Sequence, residues 1–352
     1  MRVCIVNPDY YRSSGITIAI KRIHFAVSQS GIENFFVSCD ADNTKQDIAW
    51  MSEGRLQVFN LMSKNPFLLS LELVRFFVWL KDNRIDVVHV HHRRLAIIFS
   101  IFRIFIDSSL LYSANLTYKF NIIFWLFSPR NVIAVTSSVA DNVKLTARPL
   151  RIEIIGNPTE FPVDYANNFQ LVNPNQAICV ARLDPVKGHK HLIDAWGLLA
   201  KKGLFYRLFL IGEGDLLAPL RHRVEELGLD KVITFLGYTV NVTPFYEKSL
   251  FSILVSEVEG QGIVTIEAAA AGRASLLTDV DGSRDCLPPD RLLPNGLQYG
   301  NVTALADTIE YWFKHPEAVF EEGFKFFQFH KILNSFEAIG AKYANAYKRL
   351  MK

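Results

Sequence analysis

Short apolar runs alternate along this chain with longer segments whose apolar residues recur every three or four positions. Residues 3–6, 35–37, 56–59, 87–90, 110–112 and 132–135 are rich in β-branched or aromatic side chains and have the length of buried parallel strands. Between them the spacing predicts helices over 16–28, 66–81 and 138–146, the last with Ser138 at its N-cap. Residues 157–174 break the rhythm. Pro158, Pro162 and Pro174 stand there among several asparagines with little apolar periodicity, which reads as a linker. The alternation restarts with expected strands at 177–181, 208–211, 232–236, 252–255 and 275–278. Helices are expected at 189–201, 216–227, 242–247, 263–271 and 303–313. Residues 335–350 carry Phe336, Ile339, Tyr343, Ala346, Tyr347 and Leu350 at helix spacing, with basic residues on the far side. The pattern predicts an α/β protein of two doubly wound domains, residues 1–160 and 161–334, with a terminal helix, 335–352, packing back on the first.

Composition narrows the class. At 352 residues, 50% hydrophobic and 21% charged, the chain is neither disordered nor fibrous and is long enough for two cores. Lysine and arginine number 38 against 35 acids, too balanced for a dedicated nucleic-acid binder, though a local basic face stays open. Cys4, Cys39, Cys179 and Cys286 are scattered without a CxxC pair, which suggests a reducing compartment and no zinc site. The first apolar run is too short for a secretion signal, and no 18-residue window is apolar and uncharged throughout. A cytoplasmic protein is expected, with contact to the inner membrane surface as a further option.

Two segments carry most of the chemistry. Ala181-Arg182-Leu183-Asp184-Pro185-Val186-Lys187-Gly188-His189 follows an expected strand and precedes an expected helix. Arg182 and Lys187 therefore sit at a strand's carboxyl end, where ligands bind in such folds, and suit a diphosphate: Arg as a planar fork, Lys as a point charge. Two ordinary surface cations are the plain alternative. The second segment is Glu259-Gly260-Gln261-Gly262-Ile263, running into an alanine-rich helix with Glu267 inside it and Gly272 at its end. Gly260 and Gly262 leave room for a ligand near the backbone, the helix start offers N–H groups to an anion, and both carboxylates suit sugar hydroxyls.

Weaker signals surround these. Gly15, between the first strand and first helix, looks like half of a phosphate loop, but G-x-G-x-x-G is absent. His89, His91 and His92 follow a strand without metal-ligand spacing, so a polar cluster facing the ligand crevice, or a basic surface, is expected rather than a metal centre. Residues 71–80, 93–105 and 119–127 mix basic residues with aromatics. Core helices explain much of that, and an interfacial membrane patch is the second reading.

Taken together, the motifs resemble the retaining glycosyltransferases of family 4. They include Arg182-Leu183 with Lys187-Gly188, Ile211-Gly212-Glu213-Gly214, Phe235-Leu236-Gly237-Tyr238, Glu259-x7-Glu267 and Asp281-Gly282-x-x-Asp285. The resemblance implies a GT-B fold, two facing Rossmann-like domains with a cleft between them. It implies a hexosyltransferase that uses a UDP- or GDP-linked sugar and a glycan or glycolipid acceptor, in lipopolysaccharide or surface-polysaccharide synthesis, without metal or other cofactor. It assigns Arg182 and Lys187 to the diphosphate, Glu267 to the ribose, Glu259 to the donor sugar, and Gly237 and Tyr238 to the base. Gly15, Gly260, Gln261, Gly262 and Ile263 would complete the donor site. The sequence departs from the family at Gln261, where an aromatic is usual, and at Asp285, where Glu is usual. It also departs at Tyr112-Ser113-Ala114-Asn115, where many members carry a histidine. Other enzymes of the same fold, such as a nucleotide-sugar epimerase or a phosphorylase, and a non-catalytic sugar-binding scaffold are the alternatives.

Overall fold

A computed structural model describes residues 1–7, 15–39, 55–162 and 172–351. The chain divides into two compact units, Met1–Pro158 with Phe336–Lys352, and Thr159–Ser335.

The first unit is built on seven strands: β1 (Arg2–Asn7), β2 (Glu33–Ser38), β3 (Leu56–Val58), β4 (Val87–Val90), β5 (Ser109–Ala114), β6 (Asn131–Ala134) and β7 (Arg151–Ile154). They pair in parallel in the order β3-β2-β1-β4-β5-β6-β7. The chain steps outward from β1 to β3, then restarts at β4 on the other side of β1. The topological switch point therefore lies between β1 and β4. β4 is buried along its length, as a continuous apolar run requires in a sheet covered on both faces. β7 was not expected: its Arg-Ile-Glu-Ile sequence alternates because it is an edge strand, only partly covered. Helices Pro66–Asp82, Arg93–Ile101, Ile122–Phe127 and Ser137–Thr146 pack on one face through Leu73, Phe76, Phe99, Phe124 and Val139. Helices Gly15–Gln29 and Phe336–Leu350 cover the other through Ile20, Ile23, Ile339, Tyr343 and Tyr347. The cap of Ser137–Thr146 is Thr136, not Ser138: Thr136 is the extended residue, and its hydroxyl accepts from Val139 N.

The second unit has five parallel strands, β8 (Asn173–Val180), β9 (Arg207–Ile211), β10 (Ile233–Gly237), β11 (Ser249–Leu254) and β12 (Ser275–Leu277), in the order β10-β9-β8-β11-β12. β8 starts inside the expected linker. Pro174 is tolerated there because the register with β11 is broken between Ser249 and Phe251. Residues 163–171 of that linker lie outside the described residues. The core gathers Trp196, Leu210, Phe251, Trp312 and Phe326. The helix Pro316–Asn334, absent from the expectations, packs against the helix Ile263–Ala270. Its cues are local: Pro316 at the first position, then Val319, Gly323, Phe326 and His330 buried at helix spacing. Among the described residues, no helix is long and apolar enough to cross a membrane.

Candidate functional site

In the second unit the switch point falls between β8 and β11, since the chain runs outward from β8 through β9 to β10 and returns to β11 on the opposite side. The loops leaving these two strands carry Arg182, Lys187 and Glu259. Each loop feeds a helix, His189–Lys201 or Ile263–Ala270, that starts on a glycine with no side-chain cap. Two helix N-termini and two cations thus flank one crevice, a setting that favours an anion.

The loops are tied together by backbone. Glu257 N donates to Val186 O at 2.8 Å, joining the β11 loop to the β8 loop. Leu183 N donates to Glu213 O at 2.8 Å, and Gly212 N to Gly237 O at 2.9 Å, lacing the ends of β8, β9 and β10. Two glycines are dictated by close approach. Gly188 has φ +67° and faces Val255 O, which a Cβ would meet at 2.2 Å. A Cβ on Gly282 would lie 2.1 Å from Gly260 O and 2.5 Å from Glu259 O, so the turn after β12 rests directly on the Glu259–Gly260 backbone.

Within this frame Lys187 and Glu259 meet as an ion pair, with side chains 21% and 9% exposed. Ser256 Oγ donates to Glu259 Oε1 at 2.7 Å, and Thr278 Oγ1 donates to Ser256 O at 2.6 Å. Arg182 is the open cation, 69% exposed, held on Asp184 at 2.6 Å. A guanidinium has five donors and an ammonium three, so both partners keep hydrogen-bonding capacity for an incoming anion. Glu267 is half-buried in the second turn of Ile263–Ala270, and Gln261 is half-buried between the buried Gly260 and Gly262. Gly237 and Tyr238 leave the end of β10. His189, at the start of its helix, is held neutral: burial lowers its pKa to about 4, with Asp184 opposing and Lys187 adding to the shift. Ser256 and Asp184 were not singled out beforehand. Their signals were present, as a serine three residues before Glu259 and a carboxylate two residues after Arg182.

Gly15 lies in the first unit, as the first residue of the helix Gly15–Gln29; Ser13 and Ser14 lie outside the described residues. Within the histidine segment, His89 is neither a crevice-facing residue nor part of a basic surface. His89 is fully buried, its Nδ1 2.9 Å from Tyr347 OH and its Nε2 2.7 Å from Ser113 Oγ. Burial, with His91 beside it, holds its pKa well below the usual imidazole range, so it stays neutral. Both ring nitrogens engaged in the core make it a packing residue that closes the Phe336–Leu350 helix onto the sheet. Ser113 accordingly points into that core, which leaves the half-buried Asn115, just past β5, as the residue at the strand's carboxyl end. Among the described residues no three His, Cys, Asp or Glu side chains are grouped to hold a metal ion.

Residues 165–321, nearly all of the second unit, match the family model of the glycosyl transferases group 1. The second unit is thus similar to the domains that this family model describes. An uncharacterized glycosyltransferase of Haemophilus influenzae is 33% identical over 95 residues, 27% of this chain and 27% of the relative. The Campylobacter jejuni α-1,4-N-acetyl-D-galactosaminyltransferase that acts on GalNAc-α-(1->4)-GalNAc-α-(1->3)-diNAcBac-PP-undecaprenol is 30% identical over 119 residues, 34% of this chain and 33% of the relative. The chain thus spans between a quarter and a third of the length of these curated relatives. Anabaena HepE, crystallised in complex with UDP, superposes with a TM-score of 0.82 at 16% identity, covering 99% of this chain and 100% of that one. The fold is GT-B.

Proposed function

We propose that the protein is a retaining glycosyltransferase of family 4. It moves a hexose from a UDP- or GDP-linked sugar to a glycan or glycolipid acceptor in the synthesis of lipopolysaccharide or another surface polysaccharide. The observation that carries the reading is the Lys187–Glu259 pair at the β8–β11 switch point, between two uncapped helix starts and beside the open Arg182. Crystal complexes of HepE hold UDP and UDP-glucose, which supports a uridine nucleotide here. The name of the Campylobacter relative gives a lipid-diphosphate-linked glycan as its acceptor, which supports a lipid-carried acceptor and work at the inner face of the cytoplasmic membrane.

In this reading Arg182 and Lys187 meet the diphosphate as its bond to the sugar breaks and its charge grows. Glu259, oriented by Ser256 and Lys187, accepts hydrogen bonds from the donor sugar, with the backbone of Gly260, Gln261, Gly262 and Ile263 beside it. Glu267 binds the ribose hydroxyls, and Gly237 and Tyr238 border the base. No carboxylate is assigned to the far face of the sugar. Retention then proceeds by front-side attack on an oxocarbenium-like ion pair, with the departing phosphate taking the acceptor hydroxyl's proton. Cations replace a metal, so no cofactor is assigned.

A thermal-shift screen against UDP-, GDP- and ADP-sugars tests the donor site, since a ligand at 100 times its Kd adds about 2.7 kcal/mol to stability. Release of the nucleoside diphosphate from a labelled donor then tests turnover. No shift with any nucleotide sugar sinks the donor assignment, and binding without turnover favours a sugar-binding scaffold.

A further inference from the structure

The helix Pro316–Asn334 buries two ionisable side chains to which the donor-site reading gives no role, Glu322 and His330. Burying a polar group costs free energy unless its hydrogen bonds are made, so what these two hold matters. Glu322 Oε2 accepts from Leu292 N at 2.6 Å. His330 Nε2 lies 3.0 Å from Cys286 O, and its Nδ1 lies 3.0 Å from Asn334 Oδ1. Burial holds the imidazole pKa below its usual range, so the ring is neutral and has a single N–H. Cys286 O can only accept and takes that proton. Nδ1 then accepts from the Asn334 amide, whose oxygen and nitrogen exchange places by a half-turn. One helix therefore grips the segment 286–292 at both ends.

Cys286 is where that grip meets the site. Its side chain is fully buried against Leu254 at the end of β11 and Leu277 at the end of β12. Sγ donates to Gly282 O at 3.5 Å, and the Gly262 backbone N–H is directed at the same sulfur. Burial pushes the thiol up to about 12, so it stays protonated and acts as a donor rather than a nucleophile. Gly282 in turn abuts the carbonyls of Glu259 and Gly260. A continuous path of contacts thus runs from His330 through Cys286 to both ends of Glu259-Gly260-Gln261-Gly262. Ser256 and Lys187 fix the tip of the Glu259 side chain; this path supports the backbone that presents it.

We propose that His330 and Cys286 are positioning residues for Glu259: the imidazole fixes the Cys286 carbonyl, and the thiol fixes the backbone of the loop that carries the carboxylate. Both are fully buried, so neither is offered to a ligand. The inference rests on the donor-site reading above and adds the residues that set the geometry of its sugar subsite.

Hydrogen exchange of the free protein, followed on peptides covering residues 256–264, reads the loop without any ligand. His330→Phe keeps an aromatic ring and loses both hydrogen bonds. Cys286→Ala is the smaller change and loses the sulfur contacts. Each should speed exchange across 256–264 by about fivefold or more while β8 and β9 exchange as in the wild type. His330→Gln, which returns an amide N–H to Cys286 O, should restore protection. Calorimetry with UDP-glucose against UDP, and GDP-mannose against GDP, then separates the sugar from the diphosphate. Both lesions should weaken the nucleotide sugar by about fivefold and leave the nucleoside diphosphate within about twofold, because Arg182 and Lys187 sit on the β8 loop. Unchanged exchange at 256–264 in both lesions overturns the inference. So does acceleration spread evenly over the second unit, or an equal loss of nucleotide sugar and nucleoside diphosphate. A wild type that binds neither nucleotide sugar sinks the donor reading alone, and the exchange result still decides the positioning.

Discussion

Lys187 and Glu259 stand 72 residues apart in the chain, yet the ammonium of one is seated on the carboxylate of the other. The contact joins the loops of the two strands that flank the switch point, and Ser256 anchors the same carboxylate oxygen at 2.7 Å. A lysine that neutralises a nearly buried glutamate serves stability, in addition to the diphosphate role proposed for it above.

Lys187→Ala should therefore be two lesions in one. Removing a partner from a buried pair strands the remaining charge, and because Lys187 is partly exposed the cost should be about 1–3 kcal/mol rather than the full buried-pair penalty. A double-mutant cycle with Glu259→Gln should return a coupling of about 0.5–3 kcal/mol in urea unfolding. Additive losses would mean the pair contributes no net stability.

Arg182→Ala should separate the two roles. Its side chain is largely exposed, so stability should change by less than about 0.5 kcal/mol. Turnover should fall by about 2–4 kcal/mol of transition-state stabilisation, read as kcat/KM for the nucleotide sugar. An Arg182→Ala enzyme with native kcat/KM removes this guanidinium from the diphosphate.

Gly282→Ala tests the support beneath the site. The new methyl group would overlap Gly260 O and Glu259 O, and backbone cannot swing away as a side chain can. Nucleotide-sugar affinity should drop at least as far as overall stability, by about 1–3 kcal/mol. Unchanged affinity by calorimetry would show that the turn after β12 does not hold the Glu259 loop.

Acid should unfold the protein through its histidines. Burial lowers His24 to about 4, with Arg55 adding, lowers His91 to about 3, and lowers His189 to about 4. In the unfolded chain each titrates near ~6.5. Below that pH the unfolded state binds protons the folded state refuses, so stability is full above it and falls as pH drops towards the folded values. Each histidine contributes a slope of about 1.4 kcal/mol per pH unit in that window. Urea unfolding at pH 7.5, 6 and 5 should show a progressive loss; a flat profile would mean these imidazoles gain proton partners in the folded protein.

Turnover should survive EDTA, because Arg182 and Lys187 are assigned the charge that a metal would otherwise meet. Activity lost in chelator and restored by Mn²⁺ or Mg²⁺ would reverse that assignment.

The local placement of the candidate site residues is legible in the sequence alone. Arg182 and Lys187 fall after a strand, and Glu259 falls before an alanine-rich helix, because strand-loop-helix boundaries are written in local periodicity and glycine placement. Other misses were also local. The helix Pro316–Asn334 carries its proline start and its spacing openly. The histidines are another matter. Nothing local distinguishes His89 from a strand-end crevice residue; Tyr347, 258 residues away, covers it and takes its Nδ1.

The sequence by itself determined which stretches become strands and helices, since the alternation of apolar and polar positions matches one backbone period or another and must bury the apolar set. Tertiary structure alone decided the rest. Strand order β10-β9-β8-β11-β12 brings Lys187 onto Glu259, while β3-β2-β1-β4-β5-β6-β7 leaves Phe67, Leu71, Val74 and Val78 of Pro66–Asp82 exposed and buries His89 beneath Phe336–Leu350. The reason is that periodicity specifies how many sides of an element are apolar. Which of those sides finds a partner depends on what the rest of the chain lays against it.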